Sequence, residues 1–134
     1  MSGHIRVQPA PDVYESGACN IGPAEIAYRR RWGHLGLAVT LVLFIALIWT
    51  GAPHGTRILL ALPVAAAAVG YLQAYLRFCA AFGVLGVFNF GTRRDVTRVT
   101  DRAALKRDRL RALEIIGASA AIGLVMGVVA VLLP

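Results

Sequence analysis

Residues 35–51 read LGLAVTLVLFIALIWTG, a stretch without charged side chains whose only hydroxyl groups belong to two threonines. At a rise of about 1.5 Å per residue, a helix from Trp32 to Trp49 is roughly 26 Å long, close to the ~30 Å hydrocarbon core of a bilayer. One tryptophan stands at each end, and tryptophan is enriched where a membrane meets water. The stretch therefore predicts a transmembrane helix with Trp32 and Trp49 as interface anchors.

Two further apolar stretches follow, over residues 58–77 and 113–133. The link 51–57 is short and contains glycine and proline, so the first two helices must form an antiparallel hairpin. Hydrophobic residues make up 57% of the chain and the mean hydropathy is +0.65, whereas a soluble domain has about 45–50% apolar residues. We predict an all-α membrane protein in which a hairpin and a third helix, at about 35–51, 58–77 and 113–133, span the bilayer.

The helical membrane domain is predicted to cover residues 19–134, after a tail over residues 1–18. The tail lacks hydrophobic periodicity and contains proline and glycine, which favours a flexible cytoplasmic segment. It also lacks the apolar core of a signal peptide, so the first membrane helix is expected to be retained as the insertion signal.

Residues 20–33 are predicted to form a short interfacial helix that precedes the first membrane helix. Pro23 suits the first turn of a helix, and Glu25 complements the positive end of the helix dipole. Three basic residues near the other end are predicted to anchor the chain at the membrane interface: Arg29, Arg30 and Arg31.

The net charge is +7, and eight of the 14 lysine and arginine residues lie between Arg93 and Arg111. No aromatic side chain interleaves with these eight cations, as base stacking on single-stranded nucleic acid requires. Basic segments beside a membrane helix are attracted to the negative potential of the inner leaflet. We therefore predict a bilayer with anionic lipid head groups, rather than nucleic acid, as the partner of this segment.

The same charges predict the orientation of the chain. Positive loops stay cytoplasmic, so residues 91–111 are interpreted as a basic cytoplasmic loop, with the N-terminus inside and Pro134 on the outer face. Within this loop a helix capped by Thr100 is expected to start at Asp101 and to run without a break into the third membrane segment. The chain has 13 arginines and one lysine, and alanine is abundant. This composition is typical of GC-rich bacterial coding, so the membrane is expected to be the bacterial inner (plasma) membrane.

Residues 78–90, FCAAFGVLGVFNF, are apolar but only 13 long. A helix needs about 20 residues to cross a bilayer, so this segment is interpreted as interfacial or re-entrant. The alternative is a long, tilted second helix that extends to Leu85.

Small residues recur at two places in the apolar stretches. Ala66, Gly70 and Ala74 are spaced by four residues in the second helix, and Gly123 and Gly127 form a GxxxG pattern in the third. Such stripes let helix backbones approach closely in a membrane. We predict that both are packing surfaces, which join helices within one chain or join two chains.

The start of the domain resembles the YgaP-like family of inner-membrane domains. Asn20-Ile-Gly22 is followed by Glu25, then by arginines and Gly33 just before a membrane helix. The family typically opens with Asn-x-Gly, an acidic residue, and then an arginine and a glycine before its first helix. The resemblance covers about residues 19–90.

The second half of the resemblance is the run from Phe78-Cys79 to Leu85-Gly86. The family ends its second helix in a similar Cys-Pro-x-Tyr-x-Leu-x-Gly pattern, whereas Ala80 stands here in place of the proline. In that family the domain occurs alone or beside a rhodanese (sulfur-transfer) domain, and its hairpin is associated with dimers. The resemblance therefore implies a membrane anchor or a sulfur-related setting.

The only two cysteines are Cys19 and Cys79, too few for a disulfide scaffold and without C-x-x-C spacing. By the predicted topology both lie near the cytoplasmic surface, where they could meet. Arg77 is close to Cys79 in sequence, and a basic neighbour favours the reactive thiolate that carries a persulfide or forms a redox disulfide. The alternative is that each cysteine is a small apolar packing residue.

The sequence contains no recognisable pattern for hydrolytic, nucleotide-binding or zinc chemistry. His34 and His54 flank the first helix roughly 30 Å apart and therefore cannot share a haem. We accordingly expect no enzymatic activity, no cofactor and no metal site.

The predicted function is that of a non-enzymatic scaffold or accessory subunit that packs with itself or with a membrane partner. One alternative is a thiol-based sulfur carrier or redox component that uses Cys19 and Cys79. A second alternative, a small transporter subunit, is disfavoured because charged side chains avoid the apolar stretches and Gln73 alone lies deep in one of them.

Overall fold

The computed structural model describes residues 14–91 and 96–134, so residues 1–13 of the predicted tail lie outside the described part. Within it the elements are α1 (Pro23–Trp49), a 3₁₀ helix (His54–Leu60), α2 (Ala61–Leu76), α3 (Ala80–Leu85), β1 (Val87–Phe88), β2 (Thr97–Arg98) and α4 (Arg102–Leu132). Three segments are long and apolar enough to cross a membrane: Pro23–Trp49, His54–Leu76 and Arg102–Leu132. The prediction of three such helices is confirmed. The all-α prediction is wrong in one detail, because β1 and β2 pair as a small antiparallel sheet.

Helix α1 runs without a break for 27 residues, or about 40 Å. Pro23 occupies its first turn, as expected, and Gly22 is its N-cap. The separate interfacial helix predicted for residues 20–33 is wrong, because residues 23–33 form the first turns of α1. A glycine inside a helix costs only about 1 kcal/mol, so Gly33 does not stop the helix.

The backbones of α1 and α2 touch in the predicted hairpin. A Cβ atom added to Gly70 would lie 2.6 Å from the backbone N of Gly33. One added to Gly36 would lie 2.8 Å from the backbone N of Ala67. Both distances are too short for a real Cβ contact, so only glycine permits this approach.

The packing face of α2 differs by one residue from the predicted stripe. Gly70 and Ala74 are buried, whereas Ala66 is exposed and Ala67 is buried in its place. An α-helix has 3.6 residues per turn, so positions spaced by four drift around the helix. The spacings of three and four from Ala67 to Ala74 keep closer to one face.

Gly123 and Gly127 of α4 face the start of α2. A Cβ atom added to Gly123 would lie 2.5 Å from the carbonyl oxygen of Ala61, and one added to Gly127 would lie 3.0 Å from the Cβ of Ala61. The GxxxG pattern therefore packs two helices of the same chain together. Helix α2 is in contact with α1 on one side and with α4 on the other.

Arg57 of the 3₁₀ helix is buried and bonded to the end of α4. Its Nη1 donates to the carbonyl oxygen of Leu133 at 2.8 Å and to that of Ala130 at 3.3 Å. The last four carbonyl groups of a helix lack partners within the helix, and a cation there meets the negative end of the helix dipole. Arg57 thus closes the bundle at the end where α1 turns into α2.

Helix α2 ends at Leu76, so the alternative of a second helix extending to Leu85 is wrong. Arg77 takes a left-handed conformation with φ of 55°, and α3 begins after a short link. Helix α3 packs on α4, where a Cβ atom added to Gly83 would lie 2.8 Å from the carbonyl oxygen of Asp108. The apolar segment after α2 therefore folds against α4 instead of continuing the line of α2.

Helix α4 begins inside the basic loop 91–111, as predicted, but at Arg102 and without Thr100 as its cap. Asp101 is its N-cap, and the Asp101 side chain accepts a hydrogen bond from the backbone N of Ala103 at 3.3 Å. From Arg102 the chain is helical for 31 residues. The basic half of α4 therefore continues into its apolar half without a break.

Residues 14–18, the end of the predicted flexible tail, pack against α4. The Tyr14 hydroxyl donates to Oδ2 of Asp108 at 2.6 Å, and the backbone N of Gly17 donates to Oδ1 at 2.7 Å. The Tyr14 ring stacks on Phe88, with centroids 4.7 Å apart. Burial, and then the hydrogen bond to Asp108, raise the pKa of the Tyr14 hydroxyl above its ordinary value. A tyrosine hydroxyl is protonated at neutral pH even without such a shift, so Tyr14 is the donor in this bond.

We predict that Gly123→Ala lowers the free energy of unfolding by about 1–3 kcal/mol, because the added methyl group overpacks the contact with Ala61. The measurement is unfolding of the purified protein in mild detergent, by titration with sodium dodecyl sulfate and circular dichroism.

The matched control is Gly117→Ala on the same helix, where an added Cβ atom meets nothing within 4 Å. The higher helix propensity of alanine should raise the free energy of unfolding there by up to about 1 kcal/mol. Equal effects at Gly117 and Gly123 would contradict the packing role of Gly123.

Candidate functional site

Polar and sulfur-containing side chains gather where the start of α1 meets the end of α2. We name this set the polar cluster, and its members are Cys19, Asn20, Glu25, Arg29, Gln73, Cys79 and Asn89. All of them except Arg29 are at most 6% exposed. Burying a polar group costs free energy unless it is hydrogen-bonded, so the partners of each group indicate its role.

Asn20 is the centre of the polar cluster. Its side-chain Nδ2 donates to the carbonyl oxygen of Cys79 at 3.1 Å, and its Oδ1 accepts from the backbone N of Cys79 at 2.6 Å. Its backbone N donates to the carbonyl oxygen of Arg77 at 3.2 Å, and its carbonyl oxygen accepts from the backbone N of Asn89 at 2.9 Å. Asn20 therefore joins the chain before α1 to the segments on both sides of α3.

Gly22 completes this join. Its backbone N donates to the carbonyl oxygen of Asn89 at 2.8 Å, and Ile21 forms a parallel bridge with Asn89. A Cβ atom added to Gly22 would lie 2.8 Å from the carbonyl oxygen of Phe90, so a larger residue requires the backbone to shift. The Asn20-Ile-Gly22 motif thus has a structural explanation in backbone contacts.

Gln73 is bonded through both ends of its amide. Its Oε1 accepts from the backbone N of Ala80 at 2.9 Å, and its Nε2 donates to the carbonyl oxygen of Val69 at 3.1 Å. The first N–H groups of a helix have no partner within the helix, and Gln73 supplies one for α3. The polar side chain in the second apolar stretch is therefore a helix cap, which gives no support to a transport path.

Cys79 lies beside the guanidinium of Arg29. The Nη2 of Arg29 donates to the Sγ of Cys79 at 3.0 Å and lies 3.2 Å from Oε2 of Glu25. The guanidinium also lies over the ring of Phe82, 5.7 Å from its centroid. The structure therefore places Arg29, separated by 50 residues in sequence, in contact with this thiol.

Cys19 is the second thiol of the polar cluster. Its Sγ donates to the carbonyl oxygen of Ile21 at 3.6 Å, and both cysteines are buried. Cys19 directly precedes Asn20, which binds the backbone of Cys79. The structure thus brings the two cysteines into one cluster, and a thiol there becomes accessible only if the surrounding segments move apart.

The predicted interface anchors differ in exposure. Trp32 and Trp49 lie at the surface, 50% and 88% exposed. Arg30 and Arg31 are also exposed. Arg29 instead points into the polar cluster, where its charge is paired with Glu25.

Two buried charges escaped the sequence analysis, Asp108 and Arg57. Asp108 is bonded to Tyr14, 94 residues away, and Arg57 to the carbonyl oxygen of Leu133, 76 residues away. Asp108 stands among many charges in the sequence and Arg57 stands in a short turn. A local pattern therefore carries no signal for either contact.

Across residues 14–91 and 96–134, no group of three or more His, Cys, Asp or Glu side chains is placed to hold a metal ion. No family model, no curated protein and no solved structure matches the chain. The resemblance to YgaP-like domains therefore stays a prediction. The fold defines a class only, a helical chain with three apolar helices long enough to cross a membrane.

We predict that Asn20→Ala lowers the free energy of unfolding by about 1–3 kcal/mol, because it leaves the buried N–H of Cys79 without an acceptor. The carbonyl oxygen of Cys79 loses one donor and keeps the other, the backbone N of Gly83 at 2.9 Å. The same change should increase the rate at which maleimide alkylates Cys79, read by mass spectrometry of peptides.

Thr97→Ala, at an exposed position of β2, is the control and should change the free energy of unfolding by less than about 0.5 kcal/mol. If Asn20→Ala unfolds like the wild type and Cys79 remains protected, the proposed role of Asn20 is wrong.

Proposed function

We propose that this chain is an integral protein of a bacterial inner membrane that acts as a non-enzymatic scaffold or accessory subunit, packing with itself or with a membrane partner. A YgaP-like domain over residues 19–90 is part of the proposal. The motif that carries the resemblance, Asn20-Ile-Gly22, forms the join described above, which supports a structural reason for the motif.

The observation that carries the proposal is the exposure of the apolar helices. In the most apolar 18 residues of α1, only 11% of the residues are buried. In the most apolar 18 residues of His54–Leu76 and of Arg102–Leu132, 28% of the residues are buried. Val42, Leu62 and Leu132 are each more than two-thirds exposed. Contiguous apolar surface on this scale is unfavourable in water, whereas acyl chains solvate it.

The placement of charge supports a cytoplasmic N-terminus. Arg30, Arg31 and the basic half of α4 lie at the end of the bundle that holds the polar cluster. At the opposite end Arg57 is buried and bonded to α4. Basic residues concentrated at one end are typical of the cytoplasmic side.

The polar contacts support a scaffold. Asn20 and Gln73 bind backbone groups, and Asp108 binds Tyr14 and Gly17. These side chains hold the segments around α3 together and leave the outer faces of the helices to lipid or to a partner. A rigid bundle with large apolar outer faces fits a protein whose work is to pack in the membrane.

Fractionation of expressing cells tests the proposal. The protein is expected in the membrane pellet after a wash at alkaline pH and in the supernatant only after detergent is added. A reporter that is active only in the cytoplasm should be active at the N-terminus and inactive after Pro134. Recovery in the detergent-free supernatant would refute the membrane proposal, and reporter activity after Pro134 would refute the orientation.

A thiol-based sulfur carrier or redox component is the second candidate, favoured by the contact between Arg29 and Cys79. Besides Nη2, which bonds to the sulfur and to Glu25, Arg29 has a buried Nε without a hydrogen-bond partner among the described residues. In the proposed step the Cys79 thiolate attacks the outer sulfur of a donor persulfide. The donor S–S bond breaks, the donor thiolate leaves, and Cys79 carries the persulfide.

Incubation of the purified protein with a small-molecule persulfide tests this candidate by mass spectrometry of the intact chain. We expect an added mass of one sulfur atom in the wild type and in Cys19→Ser, and at least about tenfold less in Cys79→Ser, because only a thiolate is the nucleophile. Arg29→Gln should show an intermediate yield. The Asn20→Ala variant, in which the polar cluster is loosened, serves as a second test protein. If neither the wild type nor Asn20→Ala gains the mass of a sulfur atom, the sulfur candidate is eliminated.

A further inference from the structure

A row of cations runs along the N-terminal half of α4. Arg102, Lys106 and Arg109 are all exposed and, together with Leu105 and Leu110, they line one shallow groove. Successive residues of an α-helix are about 100° apart, so positions i, i+4 and i+7 lie within roughly 60° of one another. We name Arg102, Lys106 and Arg109 the basic stripe.

The basic stripe faces away from the other residues that the structure describes. The buried residues in this half of the helix are Ala104, Asp108 and Ala112, which lie on a different face of α4. That inner face contacts α3 and residues 14–18. Among residues 14–91 and 96–134, none covers the stripe, which leaves its cations open to a ligand.

The acidic side chains of α4 and its N-cap are engaged elsewhere. Asp108 accepts hydrogen bonds from Tyr14 and Gly17, Glu114 is paired with Arg111, and Asp101 caps the helix. In the described part of the chain, no acidic group lies within the 4.0 Å of an ion pair from any cation of the basic stripe. Three positive charges thus face outward without neutralisation by a described neighbour.

An apolar surface begins directly below the cations. Leu110 and Leu113 are 52% and 62% exposed, and they start the apolar half of α4. Arg109 lies about 6 Å above Leu113 along the helix axis, and Lys106 about 10 Å. The interfacial layer of a bilayer is roughly 5–8 Å thick on each side, and long basic side chains extend their charge toward it.

We propose that the basic stripe binds the phosphate group of an anionic glycerophospholipid in the adjacent leaflet, while the acyl chains lie against Leu110 and Leu113. The cations have the charge to bind a phosphate, and the leucines nearer the membrane core can contact an acyl chain. A phospholipid has its phosphate and its acyl chains in this same order from the water to the membrane core. This inference rests on the proposed membrane location and adds to it a lipid class and the residues that bind it. A nucleic acid would satisfy the charges but leave the leucines without a partner.

Native mass spectrometry of the full-length protein, released from detergent with added lipid, tests the proposal. The probes are phosphatidylglycerol and phosphatidylcholine with the same acyl chains. Each basic side chain near an anionic surface contributes roughly a fivefold factor in affinity, so the wild type should bind phosphatidylglycerol at least about tenfold more tightly than phosphatidylcholine. The triple variant Arg102→Gln, Lys106→Gln, Arg109→Gln should bind the two lipids within about twofold of each other.

The matched control loses the same charge at exposed positions outside the stripe: Arg30→Gln, Arg31→Gln, Arg98→Gln. It should keep most of the preference for phosphatidylglycerol, and circular dichroism should show that both triple variants are folded. If both triple variants lose the preference for phosphatidylglycerol to the same extent, the attraction is unspecific and the proposal is overturned. Displacement of the lipid by an oligonucleotide at equal phosphate concentration would also overturn it.

The lipid site and the membrane location can be refuted by different results. If the protein pellets with membranes but binds both lipids equally, only the lipid site is refuted. If the protein is recovered without detergent, the membrane location is refuted, and the lipid site is refuted with it.

Discussion

Helix α2 meets both neighbouring helices through backbone atoms, and the remaining contacts depend on this close approach. Gly70 admits the backbone of Gly33 on one side, and Gly123 admits the carbonyl oxygen of Ala61 on the other. In lipid, helices gain no hydrophobic free energy by associating, so short distances and the dispersion they allow must hold them together. Because the three helices are held at these glycines, the start of α1 lies beside the end of α2, where the polar cluster forms.

At that end of the bundle, hydrogen bonds from side chains, rather than close helix packing, connect the segments. Asn20 binds both backbone groups of Cys79, and Gln73 provides a cap for α3. The same arrangement places Arg29 on the sulfur of Cys79 at 3.0 Å. The backbone contacts of Asn20 and Gln73 support the proposed scaffold, and the contact between Arg29 and Cys79 supports the proposed sulfur carrier. Both therefore depend on the join made by Asn20, although only the second requires that the join open.

Apolar length predicted where the three long helices end, within about two residues, but not where α1 and α4 begin. Charged residues that favour helix extend α1 back to Pro23 and α4 back to Arg102. Hydropathy contains no signal for these turns, whereas the capping residues near Pro23 and Asp101 predicted where they begin. The end of α2 has another cause. Arg77 adopts a left-handed conformation, and its carbonyl oxygen accepts a hydrogen bond from the backbone N of Asn20. The end of the second apolar stretch at residue 77 predicted the position of this break. Because Asn20 lies far away in sequence, no pattern around Arg77 predicts its left-handed conformation.

The sequence by itself determined the number of long apolar helices, their order and the hairpin, because apolar length and a short turn act locally along the chain. Only the tertiary structure decided that Arg29 contacts Cys79, that Asp108 holds Tyr14 and that Arg57 closes the end of α4. These partners are 50, 94 and 76 residues apart. Their meeting depends on the angle and depth at which the helices pack, and those follow from glycine contacts between elements that no local pattern links.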